Sequence, residues 1–442
     1  MESENTNIRD YTKGSLSRHL LQLAIPLVLG NILQEFYNTI DAFVVGRFAG
    51  QEEFAAIGIA GTVMNLFLFA LVGCCTGFSV LFARAYGQAD MKELRKQHFS
   101  ALVVGLCCTF FLMLLGLLGM HPLLHLLQTP AALRTYVKSY LFWIFLSLPA
   151  AFLYNLFASM LRASGDTSAA LYVLAAAVGS NLLLDLLLVA ALGGGIRGAA
   201  LATALTQIFS CVVCFLYLRH SHPELILHKA DCHAQCSRLL TTLKFGLVSS
   251  LHQCSLYLGK MFVQGTVNTA GTEVIAAYTA GTRIEGFANS IGSSGSTSTS
   301  ILTAQNYGSG RKDRVEGTFR CSCRWLLLIG TLCALLMFVF APQAIALMLG
   351  ASGGVAFDAA VHYLRLVSLF YSVCFLGNTF TGYYNGVGKV LLPFTGALGH
   401  ISIRVVLSFV LFRYMGLNAV ALATGIGWVC GCVYWGIAKI TK

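Results

Sequence analysis

Charge is scarce in this chain. Only 18 of its 442 residues are acidic, and charged residues of both signs make up 11%, against about 25% in a typical soluble domain. Apolar residues make up 57%. A soluble enzyme of this length could not hide so much apolar surface behind so few charges. The net charge of +11 sits on no patch of Lys and Arg interleaved with exposed aromatics, so nucleic acid is not an expected partner. There is no Walker A segment to hydrolyse ATP. HExxH and GxSxG are also missing, and nothing argues for an intramembrane enzyme. The opening stretch MESENTNIRDYTKGSLSRHL has no apolar signal-peptide core, so the first apolar segment is expected to be a retained helix. Ten-residue alternating strands are missing too, which excludes a β-barrel. Cysteine is plentiful, at 15. Most lie inside apolar runs, where Cys acts as a small hydrophobe rather than a disulfide framework.

What the chain does have is long apolar runs. A bilayer-crossing helix needs roughly 20 apolar residues, and twelve such helices are expected, at about 18–46, 54–84, 98–119, 135–161, 168–192, 196–218, 241–268, 274–305, 318–348, 357–385, 391–413 and 416–438. With the N-terminus inside, inner segments carry 20 Lys and Arg and outer segments 6. That bias puts both termini in the cytoplasm, and the expected location is the cell (inner) membrane. The halves echo each other. TEVIAAYTAG (272–281) matches EEFAAIGIAG (52–61), and AVALATG (419–425) matches GAALATA (198–204), at an offset of 220 or 221. An even number of spans per repeat makes the copies parallel, related by an axis along the membrane normal. The expected organisation is a tail (1–17), an N-lobe (18–218), a cytoplasmic linker (219–240) and a C-lobe (241–442).

Four acids fall inside spans: Glu35, Asp41, Asp185 and Glu285. An acid at the centre of a span costs roughly 2.5–3.5 kcal/mol on insertion scales, so such residues face an interior or a watery cavity. Gln34, Tyr37 and Asp41 share one helical face, as do Asn181 and Asp185. Thr203 lies in a small-residue stretch that permits close helix approach. If these helices meet, their oxygens form a set suited to Na+ or to a shared proton. The alternative is that the aspartates make structural interhelical hydrogen bonds. Pro26 removes a backbone hydrogen bond in the first span, giving a fixed kink or a hinge. Glu285 opens a Ser/Thr/Gly-rich stretch that reads equally as packing or as substrate pathway. Lys260 and Arg404 either neutralise acids or snorkel. His228, Cys232, His233 and Cys236 look metal-like, but their spacing fits no standard zinc pattern. The pairs Gly73/Gly77 and Gly382/Gly386 read as helix-packing faces.

The segments IPLVLGNILQEFYNTIDAFVVGRFAG (25–50), ARAYGQAD (83–90), LRASGDTSAALYVLAAAVGSNLLLDLLLV (161–189), IRGAALATALTQ (196–207) and AGTRIEGFANSIG (280–292) resemble the MATE family, multidrug and toxic compound extrusion. The most specific element is Tyr-Asn-x-x-Asp-x-x-x-Val-Gly-Arg at 37–47. The resemblance implies an all-α polytopic membrane protein. Its twelve helices would form two pseudo-symmetric six-helix bundles around a V-shaped cleft. It also implies export of organic, often cationic amphipathic compounds in exchange for H+ or Na+, with no other cofactor. Carried over from the DinF-like branch, the cation site falls on Asp41, Asn181, Asp185 and Thr203, and the bending first helix on Pro26 with Tyr37. Gln34, Glu35, Asn38, Lys260, Arg283 and Glu285 are candidate substrate-pathway residues. The seventh and tenth spans lack the acids of the NorM-like branch, which argues against a C-lobe cation site of that type. Expected partners are small organic molecules and membrane lipid, and a monomer suffices. The alternative is a lipid-linked precursor flippase of the same superfamily, for which Lys260, Arg283 and Arg404 are few basic residues to hold a diphosphate.

Overall fold

The computed structural model describes residues 11–126 and 129–441, without the side chains at 38–43, 51 and 126. Every regular element among them is helical. In chain order these are α1 (Leu16–Phe48), α2 (Gln51–Gly87), α3 (Met91–Leu118), α4 (Met120–Leu126), α5 (Ala131–Ala163), α6 (Thr167–Asp185), α7 (Gly195–Ser221), α8 (Cys236–Val267), α9 (Thr272–Gly308), α10 (Lys312–Val339), α11 (Ala341–Leu349), α12 (Val355–Ser368), α13 (Tyr371–Gly386), α14 (Leu391–Met415) and α15 (Leu417–Ile440). Among the described residues nine helices are long and apolar enough to cross a bilayer, and α12 with α13 makes a tenth span bent by 50°. With α8 and α9 these are the twelve transmembrane helices of an all-α membrane protein.

Helix α9 fails a purely apolar test because of its hydroxyls, and it handles them internally. Ser294, Ser298 and Thr299 donate to the carbonyls of Ser290, Ser294 and Gly295 one turn back, at 2.7–2.8 Å. Each hydroxyl is thereby satisfied within its own helix. Small side chains then allow close packing. A Cβ on Gly382 or Gly386 of α13 would strike the α9 backbone at Ser296 or Ser300, and one on Gly73 or Gly77 of α2 would strike α8 at 245–250. Both glycine pairs are therefore helix-packing faces.

Two expected helices are broken. The ninth stops at Val339, and α11 begins after Phe340. The tenth breaks at Leu369 and Phe370. Hydropathy reads through both breaks because the residues at them are apolar. Helix α6 continues into a π-helical turn, Leu186–Ala191, which periodicity did not announce.

The chain folds as two compact units. Among the described residues one is Leu29–Ser250, and the other is Tyr11–Val28 with Leu251–Lys442. Helices α1 and α8 thus contribute to both. In the first, α5 packs on α2, α3 and α7, and α6 on α7. In the second, α13 packs on α9 and α10, and α15 on α14 and α13. The repeat is visible in the corners. Positive φ occurs at Gly50 and Gly271 (99° and 91°), at Ala89 and Gly310 (57° and 75°), at Gly165 and Gly388 (95° and 73°), and at Gly195 and Gly416 (53° and 54°). Each pair is 221 residues apart except the third, which is 223 apart. The first half thus carries two more residues between Gly165 and Gly195, and the wider π turn lies in that stretch.

Aspartates cap the starts of α3 and α6. Asp90 accepts from the Glu93 amide at 2.8 Å, and Asp166 from the Ala169 amide at 3.1 Å. Glu53 accepts from the Ile196 amide at 2.6 Å, holding the positive end of α7. The segment expected as a linker lies against the first unit. Arg95 Nε is 2.7 Å from Asp231, and Arg238 Nη2 is 3.0 Å from Glu93.

Candidate functional site

Asn181 and Asp185 lie one turn apart near the end of α6, and both are buried, Asp185 completely. Asn181 Nδ2 has no hydrogen-bond partner among the described residues. A buried carboxylate and amide in a membrane helix need compensation from a neighbour, an ion or a proton. Asp185 is the last α-helical residue before the π turn, a feature often found at functional positions.

Neighbouring helices bring the other candidates to the same region. Helix α7 folds back on the π turn, so that a Cβ on Gly198 would strike the Leu188 carbonyl. Thr203, also buried, lies five residues beyond Gly198, and Asp185 lies three before Leu188. At about 1.5 Å per residue the antiparallel pair places them within a few ångström along the axis. Gly30 of α1 lies against Leu171 and Leu174 of α6. As first and fifth spans these helices run in the same direction. Position 41 is eleven residues past Gly30, and Asp185 is eleven past Leu174, so the two backbones reach a common level. The side chains of Asp41 and Asn38 lie outside the described residues.

Of the remaining candidates, Tyr37 and Glu35 are half-buried and Gln34 is exposed. Pro26 sits inside an unbroken α1, two residues before the division between units at Val28 and Leu29. In the second unit Lys260 and Arg283 are exposed and Glu285 is buried. Glu285 accepts from the Tyr363 hydroxyl at 2.6 Å and the Tyr371 hydroxyl at 3.1 Å. Both tyrosines are fully buried. They lie 78 and 86 residues downstream, and no local pattern links them to Glu285. The described residues hold no group of three or more His, Cys, Asp or Glu arranged for a metal. His228 Nδ1 instead lies 3.5 Å from Asp231, and Cys232 and Cys236 are exposed.

At the ends of α6 and α7 in the first unit, sequence reasoning missed a second cluster. His222 lies 3.2 Å from both Asp166 and Glu224, and Tyr217 donates to Asp166 at 2.8 Å. The hydrogen bonds to Asp166 and then Glu224 push the buried imidazole up to about 9. Burial alone would push the carboxyls up, but the hydrogen bond with His222 holds both Asp166 and Glu224 below the usual carboxylate range. These residues fasten the ends of α6 and α7.

Twelve spans in two repeats, with an acid buried inside the helices, define a polytopic membrane transporter rather than an enzyme. The MatE family model matches residues 26–187 and again 249–410, so the chain belongs to that family, and each half of it is one copy. Among curated relatives, the probable multidrug resistance protein YpnP of Bacillus subtilis is 25% identical over 92% of this chain and 88% of its own length. The probable multidrug resistance protein YoeA of the same organism is 26% identical over 94% and 91%. A crystal structure of a MATE in complex with MaL6 shares the fold, with a TM-score of 0.92 at 21% identity over 99% of this chain and 98% of that one.

Proposed function

We propose that this protein is a multidrug exporter that exchanges organic amphipathic compounds for H+ or Na+ bound at Asp41, Asn181, Asp185 and Thr203. The observation that carries the reading is the completely buried Asp185, one turn from an Asn181 amide with an unfilled donor, at the π turn of α6. A proton or a hard cation satisfies such a carboxylate, and the second carboxylate at position 41 strengthens the attraction. Two relatives named as probable multidrug resistance proteins support the cargo class.

In this reading the protein sits in the cell membrane with both termini in the cytoplasm. The lobes are residues 18–218 and 241–442, joined by 219–240. The site loads from outside, and neutralising its charge changes the preferred course of α1 around Pro26, with Tyr37 on the responding segment. Bending expels cargo, and ion release on the inside resets the helix. Gln34, Glu35 and Asn38 border the cargo path.

The test is efflux of a fluorescent organic dye from proteoliposomes under an imposed Na+ gradient, and separately under an imposed pH gradient. Wild type should move dye uphill under one of them, which names the ion. Asp41→Asn and Asp185→Asn should each abolish the uphill movement. Wild-type rates in both variants would sink the proposal.

A further inference from the structure

The first span of each repeat begins on the opposite unit. Helix α1 lies with the second unit as far as Val28 and with the first from Leu29. Helix α8 lies with the first unit as far as Ser250 and with the second from Leu251. The two divisions are 222 residues apart, close to the offset between the repeats. A helix shared in this way transmits a change of course only if its starting turn is held. Both starts are held.

In the second unit, Arg314 of α10 holds the segment that leads into α1. Its Nη2 donates to the Tyr11 carbonyl at 3.1 Å and its Nη1 to the Gly14 carbonyl at 3.0 Å. Its Nε donates to Asn306 Oδ1 at 2.8 Å. The planar guanidinium is therefore fixed on three sides, which a lysine could not match. Asn306, buried near the end of α9, also donates to the Tyr11 carbonyl at 3.4 Å. Arg311 donates to the Thr12 carbonyl at 2.9 Å. The Tyr11 ring is buried and packs on His19 at 4.9 Å. Leu16 lies over Gly317, where a Cβ would strike it, and Ser17 Oγ is 3.2 Å from Cys321 Sγ. The first unit uses the same register with other chemistry. Glu93, 221 residues before Arg314, pairs with Arg238 in the first turn of α8 at 3.0 Å. Arg95 donates to Asp231 at 2.7 Å and to the Glu224 carbonyl at 3.2 Å.

We infer that Arg314 is a positioning residue for transport, anchoring the start of α1 to the second unit so that a change of course around Pro26 works against a fixed end. This deepens the transport reading above and rests on it for the motion of α1. Pro26 lies between the anchor and the division at Val28 and Leu29. Without the anchor, bending there would swing the loose first turns of α1 and leave the rest of the helix where it was. Every partner in the strap belongs to the second unit. No contact in it has to break when the course of α1 changes, so the strap stays closed through the cycle and is not a gate.

The experiment measures rhodamine 123 efflux from proteoliposomes holding the full-length protein, under the gradient that drives the wild type. Arg314→Ala should lower the maximal rate at least about ten-fold, the weight of one charge-assisted hydrogen bond. Equilibrium binding of the dye in detergent, read by fluorescence anisotropy, should stay within about two-fold of wild type. Binding kept while turnover is lost separates a positioning role from a folding defect. Adding Ser17→Cys to Arg314→Ala sets a thiol beside Cys321, and oxidation by copper phenanthroline in air should join them and restore efflux. The same oxidation with Cys321→Ser should restore nothing. In an otherwise wild-type protein the Ser17→Cys crosslink should leave efflux unchanged. A wild-type rate in Arg314→Ala overturns the inference. Arrest of efflux by the crosslink in the wild-type background also overturns it, since the strap would then be a gate that must open. If wild type moves no dye under either gradient, the transport reading fails and the coupling role fails with it. Hydrogen exchange in 12–20 that is accelerated in Arg314→Ala and slowed again by the crosslink would still leave the anchor standing.

Discussion

Glu285 shows what a carboxylate requires inside a membrane helix bundle. It is buried, and two hydroxyls from α12 and α13 supply the hydrogen bonds that water would otherwise give. Removing one donor leaves the acid partly unsatisfied, so Tyr363→Phe should destabilise the detergent-solubilised protein by about 1.5–3 kcal/mol. A thermal unfolding scan should show a lower midpoint than for wild type. Glu285 itself was legible in the sequence, since an acid within an apolar span stands out. Its tyrosines were not, because aromatic residues are common in every span and the partnership is made by helix packing. Asn181 and Asp185 were legible as a pair from their i, i+4 spacing.

At the scale of elements, the ends of α6 and α7 carry a pH-dependent fastening. The His222 imidazole is raised to about 9, above the ~6.5 of an unperturbed histidine. Its contribution is therefore complete below about pH 6.5 and is lost as the pH rises through about 9. Asp166 and Glu224 behave oppositely. Their depressed values mean that their contribution is present above the usual carboxylate range and is lost as the pH falls through those lower values. Hydrogen exchange in 222–238, corrected for its intrinsic pH dependence, should accelerate between pH 6.5 and 9. His222→Ala should exchange fast throughout. The linker's polarity was plain in the sequence. That Arg95 and Glu93 of α3 would fasten it through Asp231 and Arg238 was not, because those pairs join residues more than a hundred positions apart. Likewise the π turn after Asp185 follows from two extra residues in one repeat, which only the comparison of the two halves reveals.

For the whole molecule, the proposed exchange has an energetic consequence. One net charge moved through about 100 mV is worth roughly 2.3 kcal/mol. At about 150 mV this sustains a cargo gradient of several hundred-fold, taking about 1.4 kcal/mol per ten-fold. A neutral dye exchanged for one cation should therefore respond to an imposed potential, whereas a monovalent cationic dye exchanged one-for-one should respond only to the chemical gradient. Accumulation ratios measured in proteoliposomes with and without a valinomycin-set potential separate the cases, and equal responses for both dyes would contradict one-for-one exchange.

The sequence by itself determined the helical class, the twelve spans and the repeat, because each follows from a local or periodic quantity. Apolar length sets a span, and a near-constant offset between echoing segments sets a repeat. It also singled out the acids, since a charge in an apolar run is visible without knowing its neighbours. Tertiary structure alone decided which groups meet them. Hydrogen bonds and ion pairs at 2.6–3.1 Å between residues far apart in the chain depend on crossing and register, and many sequences with the same hydropathy would bring different side chains together. The breaks at Phe340 and Phe370 belong with that second group. An apolar residue looks the same to hydropathy whether its helix continues or turns.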